Sequence, residues 1–269
     1  MADGNDRGRR ARTARFYHGE QMHCNTELTL SKSASHHLIT VLRTRKDDVI
    51  ELFNGDGCNY RATVLDTGQR AKGKCALLQV HERQAVRNES PLSITLVQAI
   101  SRGERMDITL RQAVELGVQH IQPIYSVHSV KPQDDKRTIK KQEHWQSIVV
   151  SACEQSGRAV LPTLSAPVSL KQWLDLHKNE DNPPAAYILA PTASRSLLSH
   201  VDCNASANTR VAILIGPESG FDEDEIIDAQ RAGVQAARFG PRILRTETAG
   251  PAAITLLQTY LGDLGQQET

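Results

Sequence analysis

Two strings in the last quarter of the chain have the residue types to build a small-molecule site: GPESGFDEDEI (Gly216 to Ile226) and FGPRILRTETAGPAAI (Phe239 to Ile254), about one helix apart. Each breaks on a Gly-Pro pair. Glycine lets backbone N–H and C=O groups approach a ligand and proline fixes loop shape, so such turns suit an uncharged heteroaromatic ring read by main-chain hydrogen bonds. Ionisable groups stand beside them. Arg242 and Arg245 lie close to a helix start, where positive charge is unfavourable, which makes them candidates for an anionic partner such as phosphate. Glu218, inside the first turn, is either a solvated loop acid or a polar ligand contact. Thr246 or Thr248 reads as a helix N-cap with Glu247 in the first turn, and Asp222 with Glu225 reads as a capping arrangement.

Several other chemistries are excluded. No GxGxxG follows a strand and no GxxxxGK precedes a Ser or Thr, so neither a standard dinucleotide fold nor a phosphate-binding P-loop is supported. Ser219 stands one place too late for the GxSxG nucleophile elbow. No HExxH occurs, and the adjacent His36 and His37 would point about 100° apart on a helix, poor geometry for one metal. The five cysteines are scattered, odd in number and never spaced CxxC, as expected of reduced thiols in a cytosolic protein.

The formal net charge is only +1, yet residues 1–90 hold 15 Lys/Arg against 11 Asp/Glu. Much of that excess is the short arm Arg7, Arg9, Arg10, Arg12 and Arg15. No apolar h-region follows the arm, and no stretch approaches the roughly 18 apolar residues of a membrane span. A soluble, cytoplasmic protein without membrane association is expected.

The elements that must position these residues fall into two groups. From Phe16 to about Arg87 the pattern is short strands (Glu27–Leu30, Val49–Phe53, Tyr60–Leu65, Cys75–Val80) interrupted by helical spacing only at His36–Arg43. Asn54-Gly55-Asp56-Gly57 marks a hairpin, and the whole reads as a β-rich, barrel-like module. A polar linker, Gln84–Pro91, separates it from alternating strands and helices, giving expected domains 1–88 and 89–269. Strands are expected at Leu92–Ile100, Val118–Tyr125, Ala185–Ala190, Val211–Ile215 and Val234–Phe239. Helices are expected at Arg105–Leu116, with Met106, Leu110, Ala113 and Val114 on one face, and at Thr138–Ser156, with Trp145, Ile148, Val149 and Ala152 inward. This alternation implies a largely parallel α/β sheet whose strand-end loops, including 189–192, 215–221 and 239–248, meet on one edge. On that edge Ser101-Arg102-Gly103-Glu104-Arg105 is either a solvated turn with an ion pair to Glu104 or an RNA-facing loop. Gln155 and Arg158, in ACEQSGR, end a helix beside it.

Taken in order, the strings HHLITVLR, ELFNGDG, QAISRGERMD, QAVELGV, ACEQSGR, LIGPESGF and FGPRILRTETA resemble the RsmE family of SPOUT methyltransferases, from about Arg12 to Gly262. The resemblance implies an α/β fold class: an N-terminal PUA-like β-barrel for RNA binding, then a SPOUT α/β domain with a trefoil knot, assembled as a homodimer. It also implies S-adenosyl-L-methionine as cofactor and methylation of ring nitrogen 3 of a specific uridine in small-subunit (16S) ribosomal RNA, within the assembled or assembling subunit. Carried over residue by residue, the cofactor loops are Leu189, Ala190 and Pro191; Leu214, Ile215, Gly216, Pro217 and Gly220; and Phe239, Gly240, Pro241, Ile243, Leu244 and Thr246.

Neutral uridine nitrogen 3 carries a proton and is a poor nucleophile, so the implied chemistry needs a group that offsets developing charge and one that assists proton loss or orients the base. Arg245 is expected in the first role and Glu247 or Glu218 in the second, with no metal. RNA contacts are expected from Arg12, Arg15, Arg43, Arg102 and Arg158. The chain departs from the family pattern at Ser219, where a second glycine is usual, and at Val127-His128, which replaces an acidic and basic pair. A non-catalytic RNA-binding protein with a degenerate pocket is the alternative, and the intact GPESG and RILRTET strings weigh against it.

Overall fold

The computed structural model describes residues 13–68, 75–131, 134–201 and 209–265. The residues Arg7, Arg9, Arg10 and Arg12 of the basic arm, and Cys203, lie outside them. The chain divides into two units, one formed by Met1–Asn88 together with Gly157–Val160 and the other by Glu89–Ser156 together with Leu161–Thr269.

The first unit is a curled five-stranded sheet in the order β1-β3-β4-β5-β2: β1 Arg15–Tyr17, β2 Glu27–Thr29, β3 Val49–Phe53, β4 Cys58–Asp66 and β5 Leu77–Ala85. β1 runs parallel to β3, and the remaining pairings are antiparallel. Alternating residues of β4 (Cys58, Tyr60, Ala62, Val64) are buried with Phe16, Leu38, Ile50, Leu52, Leu78 and Val80 inside the curl. The β3–β4 turn is NGDG, with Gly55 and Gly57 at φ 96° and 81°. Asn54 Oδ1 accepts from Asp56 N–H and Asp56 Oδ1 from Cys58 N–H, so the turn residues supply the backbone partners that the ladder cannot. Asp56 Oδ2 also accepts from Tyr60 OH at 2.7 Å and from Arg83 at 3.2 Å.

The helical stretch expected at His36–Arg43 begins earlier. Ser31 caps α1, Lys32–His36, by accepting from Ala34 N–H, and the next turn, His37–Val41, widens to π geometry. Two features of this unit were not among the expected elements: the strand β1, and the return of segment 157–160, where Ala159 O accepts from Gly57 N–H at 3.1 Å.

The second unit is a seven-stranded parallel sheet with helices. Its elements are β6 Ser93–Ala99, α2 Arg105–Glu115, β7 His120–Tyr125, α3 Asp135–Ser156, β8 Thr163–Leu164, β9 Val168–Ser169, α4 Leu170–Lys178, β10 Ala185–Leu189, β11 Arg210–Ile215, α5 Glu223–Arg231, β12 Gln235–Ala237 and α6 Thr246–Leu261. The strand order is β12-β10-β11-β6-β7-β8, and β9 also pairs with β7. Every pairing is parallel.

A parallel strand covered on both faces reads as a continuous apolar run, and β11 is buried from Val211 to Ile215. Met106, Leu110, Ala113 and Val114 of α2 are buried as expected; on α3 Trp145, Val149, Ala152 and Cys153 are buried, while Ile148 is only half-buried. α5 begins with a reciprocal capping box between Asp222 and Glu225. α4 is stabilised in the same way, by Ser169 and Gln172. Among the described residues no helix is long and apolar enough to cross a membrane.

Candidate active site

β12, β10 and β11 lie side by side and parallel, so the loops leaving their carboxyl ends come together, and they wall a cleft of about 520 Å³. The β10 loop contributes Leu189, Ala190, Pro191 and Thr192. Ala190 N–H donates to Ala237 O at 2.9 Å, which ties this loop to β12.

The β11 loop contributes Ile215 through Phe221. It folds into a tight turn in which Gly220 N–H donates to Pro217 O at 2.9 Å with Gly220 at φ 77°. A Cβ on Gly216 would stand 2.9 Å from the Gly220 carbonyl carbon and 3.0 Å from Phe221 N, so only glycine closes this turn. Ser219 is not among the positive-φ residues, and its serine sits there without backbone strain.

The β12 loop contributes Phe239, Gly240, Arg242, Ile243 and Leu244, and the start of α6 adds Thr246 and Ala249. Of the expected cofactor residues, Leu214 and Pro241 are not on the wall: Leu214 is fully buried in the strand core and Pro241 is exposed. The others are brought together. Thr246 is not the helix cap, because α6 begins one residue earlier, with Arg245 in the cap position and no side-chain capping bond. The Thr246 hydroxyl donates instead to Gly216 O at 2.7 Å.

The expected catalytic residues occupy three different settings. Glu218 lines the cleft, and its Oε1 accepts from Arg102 N–H and from Arg105 Nη1, both at 2.9 Å. Partial burial pushes its pKa up, but these hydrogen bonds, a third from its own N–H and the Arg105 charge outweigh burial and hold the carboxyl below its ordinary value. Glu247 is on the neighbouring side of α6, off the cleft wall, with Oε2 enclosed and 3.7 Å from Arg105 Nε. Arg245 is exposed at the α6 start, between the lining residues Leu244 and Thr246.

Arg105 was expected only as the end of a charged turn, and Gln98 was not expected at this site at all. Gln98 is a lone polar residue within the apolar run LVQAI, and that was the available signal. It is fully buried on β6 and donates to Thr246 Oγ1 at 3.0 Å.

The expected RNA-contact residues are dispersed. In the first unit Arg15 lies 3.9 Å over the Phe53 ring, and its Nη2 donates to Asn59 Oδ1 and to Arg158 O, each at 2.8 Å. Arg158 itself is 3% exposed, so its side chain is enclosed and not offered to a solvent-borne strand. Arg43 is exposed, in the left-handed region at φ 55°. Arg102 is exposed, and the ion pair weighed for it with Glu104 is not formed; Glu104 is the N-cap residue of α2. Arg12 lies outside the described residues. Val127 N–H donates to Glu225 Oε1 at 2.8 Å and His128 lies 3.7 Å from Asp222, so the divergent pair packs on the α5 cap.

A hollow of about 590 Å³ between α4 and α5 is lined by apolar residues such as Tyr125, Leu170 and Leu174 with charged helix side chains, among them Lys171, Asp175 and Arg231, around them. It lacks the glycine turns that admit a ligand to the backbone, which favours the β10–β12 cleft as the site.

Comparison with known proteins agrees with this geometry. Residues 88–258 match a family model described as an RNA methyltransferase domain, and residues 30–72 match one described as an RNA methyltransferase PUA domain. The chain is 34% identical over 257 residues to ribosomal RNA small subunit methyltransferase E of Buchnera aphidicola subsp. Schizaphis graminum, covering 94% of this chain and 98% of that protein. The chain belongs to the ribosomal RNA small subunit methyltransferase E family.

The same family name attaches to a relative from Buchnera aphidicola subsp. Acyrthosiphon pisum, 32% identical over 93% of this chain and 94% of its own length. Two solved structures share the architecture. A methyltransferase of Legionella pneumophila in complex with bound SAM has a TM-score of 0.85 and 35% identity, covering 94% of this chain and all of that one. A ribosomal RNA small subunit methyltransferase E from Neisseria gonorrhoeae bound to S-adenosyl methionine has a TM-score of 0.83 and 36% identity over the same shares. Within the methyltransferase E family, then, this chain carries Gly/Pro loops at three adjacent strand ends, with a buried glutamine hydrogen-bonded to Thr246 beside them.

Proposed function

We propose that this chain uses S-adenosylmethionine to methylate ring nitrogen 3 of a uridine in small-subunit ribosomal RNA. The observation that carries the reading is the cleft itself: main-chain loops of three neighbouring parallel strands, two of them turning on positive-φ glycines, face apolar walls from Leu189, Ile215, Phe239 and Leu244. Such a surface fits a heteroaromatic ring recognised by backbone N–H and C=O groups. The residues proposed to hold the cofactor are Leu189, Ala190 and Pro191; Ile215, Gly216, Pro217 and Gly220; and Phe239, Gly240, Ile243, Leu244 and Thr246. Leu214 supports these loops from the strand core.

The cofactor supplies an electrophilic methyl group on a sulfonium. The chain must hold the uridine ring in line with that methyl and manage the nitrogen 3 proton, so positioning and electrostatics supply much of the rate. Arg245, exposed beside the cleft, offsets the negative charge that develops on the uracil ring as that proton leaves. Glu218, held ionised by Arg105 on the cleft wall, orients the base by accepting its N–H and takes up that proton as the N3–methyl bond forms, releasing it to solvent. Glu247 acts through Arg105, whose Nε lies 3.7 Å from its enclosed Oε2. RNA backbone is held by Arg102 and Arg43, with Arg12 and the arm before it adding charge, and Arg15 and Arg158 serve the β-module's own structure. The base is turned out of its RNA context to reach the cleft. A trefoil-knotted chain path, a two-fold homodimer, a cytoplasmic location and action on the assembled or assembling subunit complete the reading.

The test is to incubate the protein with methyl-labelled S-adenosylmethionine and small subunits from a strain lacking the enzyme, then digest the RNA and identify the labelled nucleoside. The expected product is 3-methyluridine at a single position. Label in any other nucleoside, or a wild-type protein that does not bind S-adenosylmethionine, overturns the assignment.

A further inference from the structure

Gln98 sits in β6 between the buried Val97 and Ala99, and is itself fully enclosed. Its Nε2 donates to Ala99 O at 3.0 Å and to Thr246 Oγ1 at 3.0 Å. Thr246 Oγ1 in turn donates to Gly216 O at 2.7 Å. The direction of the chain is fixed by chemistry. A carbonyl oxygen only accepts, so the threonine proton belongs to Gly216, and the hydroxyl oxygen is left to accept from the amide. Turning the amide over would set Oε1 against Ala99 O, acceptor against acceptor.

In the observed orientation Oε1 has no hydrogen-bond partner among the described residues. It faces the α6 backbone at Gly250, where a Cβ would stand 3.6 Å from it. A buried acceptor without a partner weakens the fold, and a leucine of similar bulk would not incur that cost. The value of the amide therefore lies in its two donors.

We propose that Gln98 is a positioning residue for the cofactor cleft, acting through Thr246 on Gly216; this rests on the S-adenosylmethionine reading given above. The clasp joins three segments distant in sequence: the end of β6, the first residue of α6 and the turn after β11. It withdraws Gly216 O from the ligand and fixes the peptide plane that precedes Pro217. That plane sets the direction of the whole Pro217–Gly220 turn. Thr246, with its proton given to Gly216 and its oxygen engaged by Gln98, braces the wall more than it recognises the ligand.

The test uses the full chain in four variants: Gln98→Leu, Thr246→Val, the double variant, and Thr246→Ser, which keeps the hydroxyl. Cofactor affinity is read by calorimetric titration, and amide hydrogen exchange of residues 216–221 is read without ligand. Gln98→Leu and Thr246→Val are each expected to raise the S-adenosylmethionine Kd at least tenfold and to speed exchange in the turn, with exchange in the β-module unchanged. The double variant is expected to be no worse than the weaker single, because both break one chain of bonds. Thr246→Ser should recover most of the loss. Wild-type Kd and wild-type exchange in a folded Gln98→Leu protein, or losses that multiply in the double variant, overturn the proposal. Should Gln98→Leu not fold, the Val and Ser variants at 246 decide: equal affinity and exchange in those two overturns it. A wild-type protein that binds no S-adenosylmethionine sinks the functional reading alone, and the exchange comparison still judges the clasp.

Discussion

Arg105 Nη1 lies 2.9 Å from Glu218 Oε1, and the same guanidinium places Nε 3.7 Å from Glu247 Oε2. One arginine at the start of α2 thus meets an acid from the β11 turn and an acid from the first turn of α6. The planar fork of a guanidinium can serve two carboxylates at once, which a lysine ammonium does poorly. Arg105→Lys is therefore expected to lose affinity for cofactor, although the charge is kept; titration calorimetry beside Arg105→Ala would show whether geometry or charge matters.

Glu218 carries a pH signature. Its folded-state pKa is depressed, so its contribution to stability is fully present above the unfolded value near 4.5 and is lost as pH falls through the lower folded value. The thermal midpoint of Glu218→Gln should fall furthest below wild type near neutral pH, and the two should converge in acid. A constant gap from pH 7 down to pH 3 would show that the carboxylate charge is not what holds this turn.

Gly216→Ala meets the turn at backbone, 2.9 Å from Gly220. That contact cannot be relieved by a side-chain rotation, so the turn must open. Cofactor affinity should fall by an order of magnitude or more with native circular dichroism. Gly220→Val has space around its Cβ but puts a β-branched residue at φ 77°, and should fail by strain at the same turn.

Arg245→Ala tests chemistry apart from binding. At saturating cofactor and RNA the single-turnover rate should fall roughly a hundredfold, in line with loss of one preorganised charge-stabilising group, with cofactor Kd unchanged. A wild-type rate constant would move the stabilising role elsewhere.

Arg15 and Arg43 should behave differently despite their common charge. Arg15→Ala removes a stacked cation and hydrogen bonds inside the β-module, a loss of about 1–3 kcal/mol that appears as a lowered thermal midpoint. Arg43→Ala should leave the midpoint nearly unchanged and reduce the salt dependence of RNA binding by about one phosphate contact. Salt titrations of both variants, alongside melting curves, separate the two roles.

Much of the second unit was legible because its rules are local. Apolar runs marked β6, β10 and β11, Gly-Pro pairs marked the turns, and Asp222 with Glu225 announced the α5 cap. What could not be read depends on partners far away in sequence. Thr246 has the composition of a cap, yet its hydroxyl is taken by Gly216, thirty residues upstream. Arg15 looks like part of a basic arm, but Phe53, Asn59 and the Arg158 carbonyl claim it. β8 and β9 have two residues each, too few for any periodicity, and exist because β7 offers them an edge.

The return of Gly157–Val160 to the first unit bears on how the gene can be cut. A fragment ending at Asn88 would lack the carbonyls of Arg158, Ala159 and Gly157 that Arg15, Gly57 and Asn88 use. The β-module is thus completed by a strap delivered from between α3 and β8. A truncation at the apparent linker therefore removes part of the β-module itself.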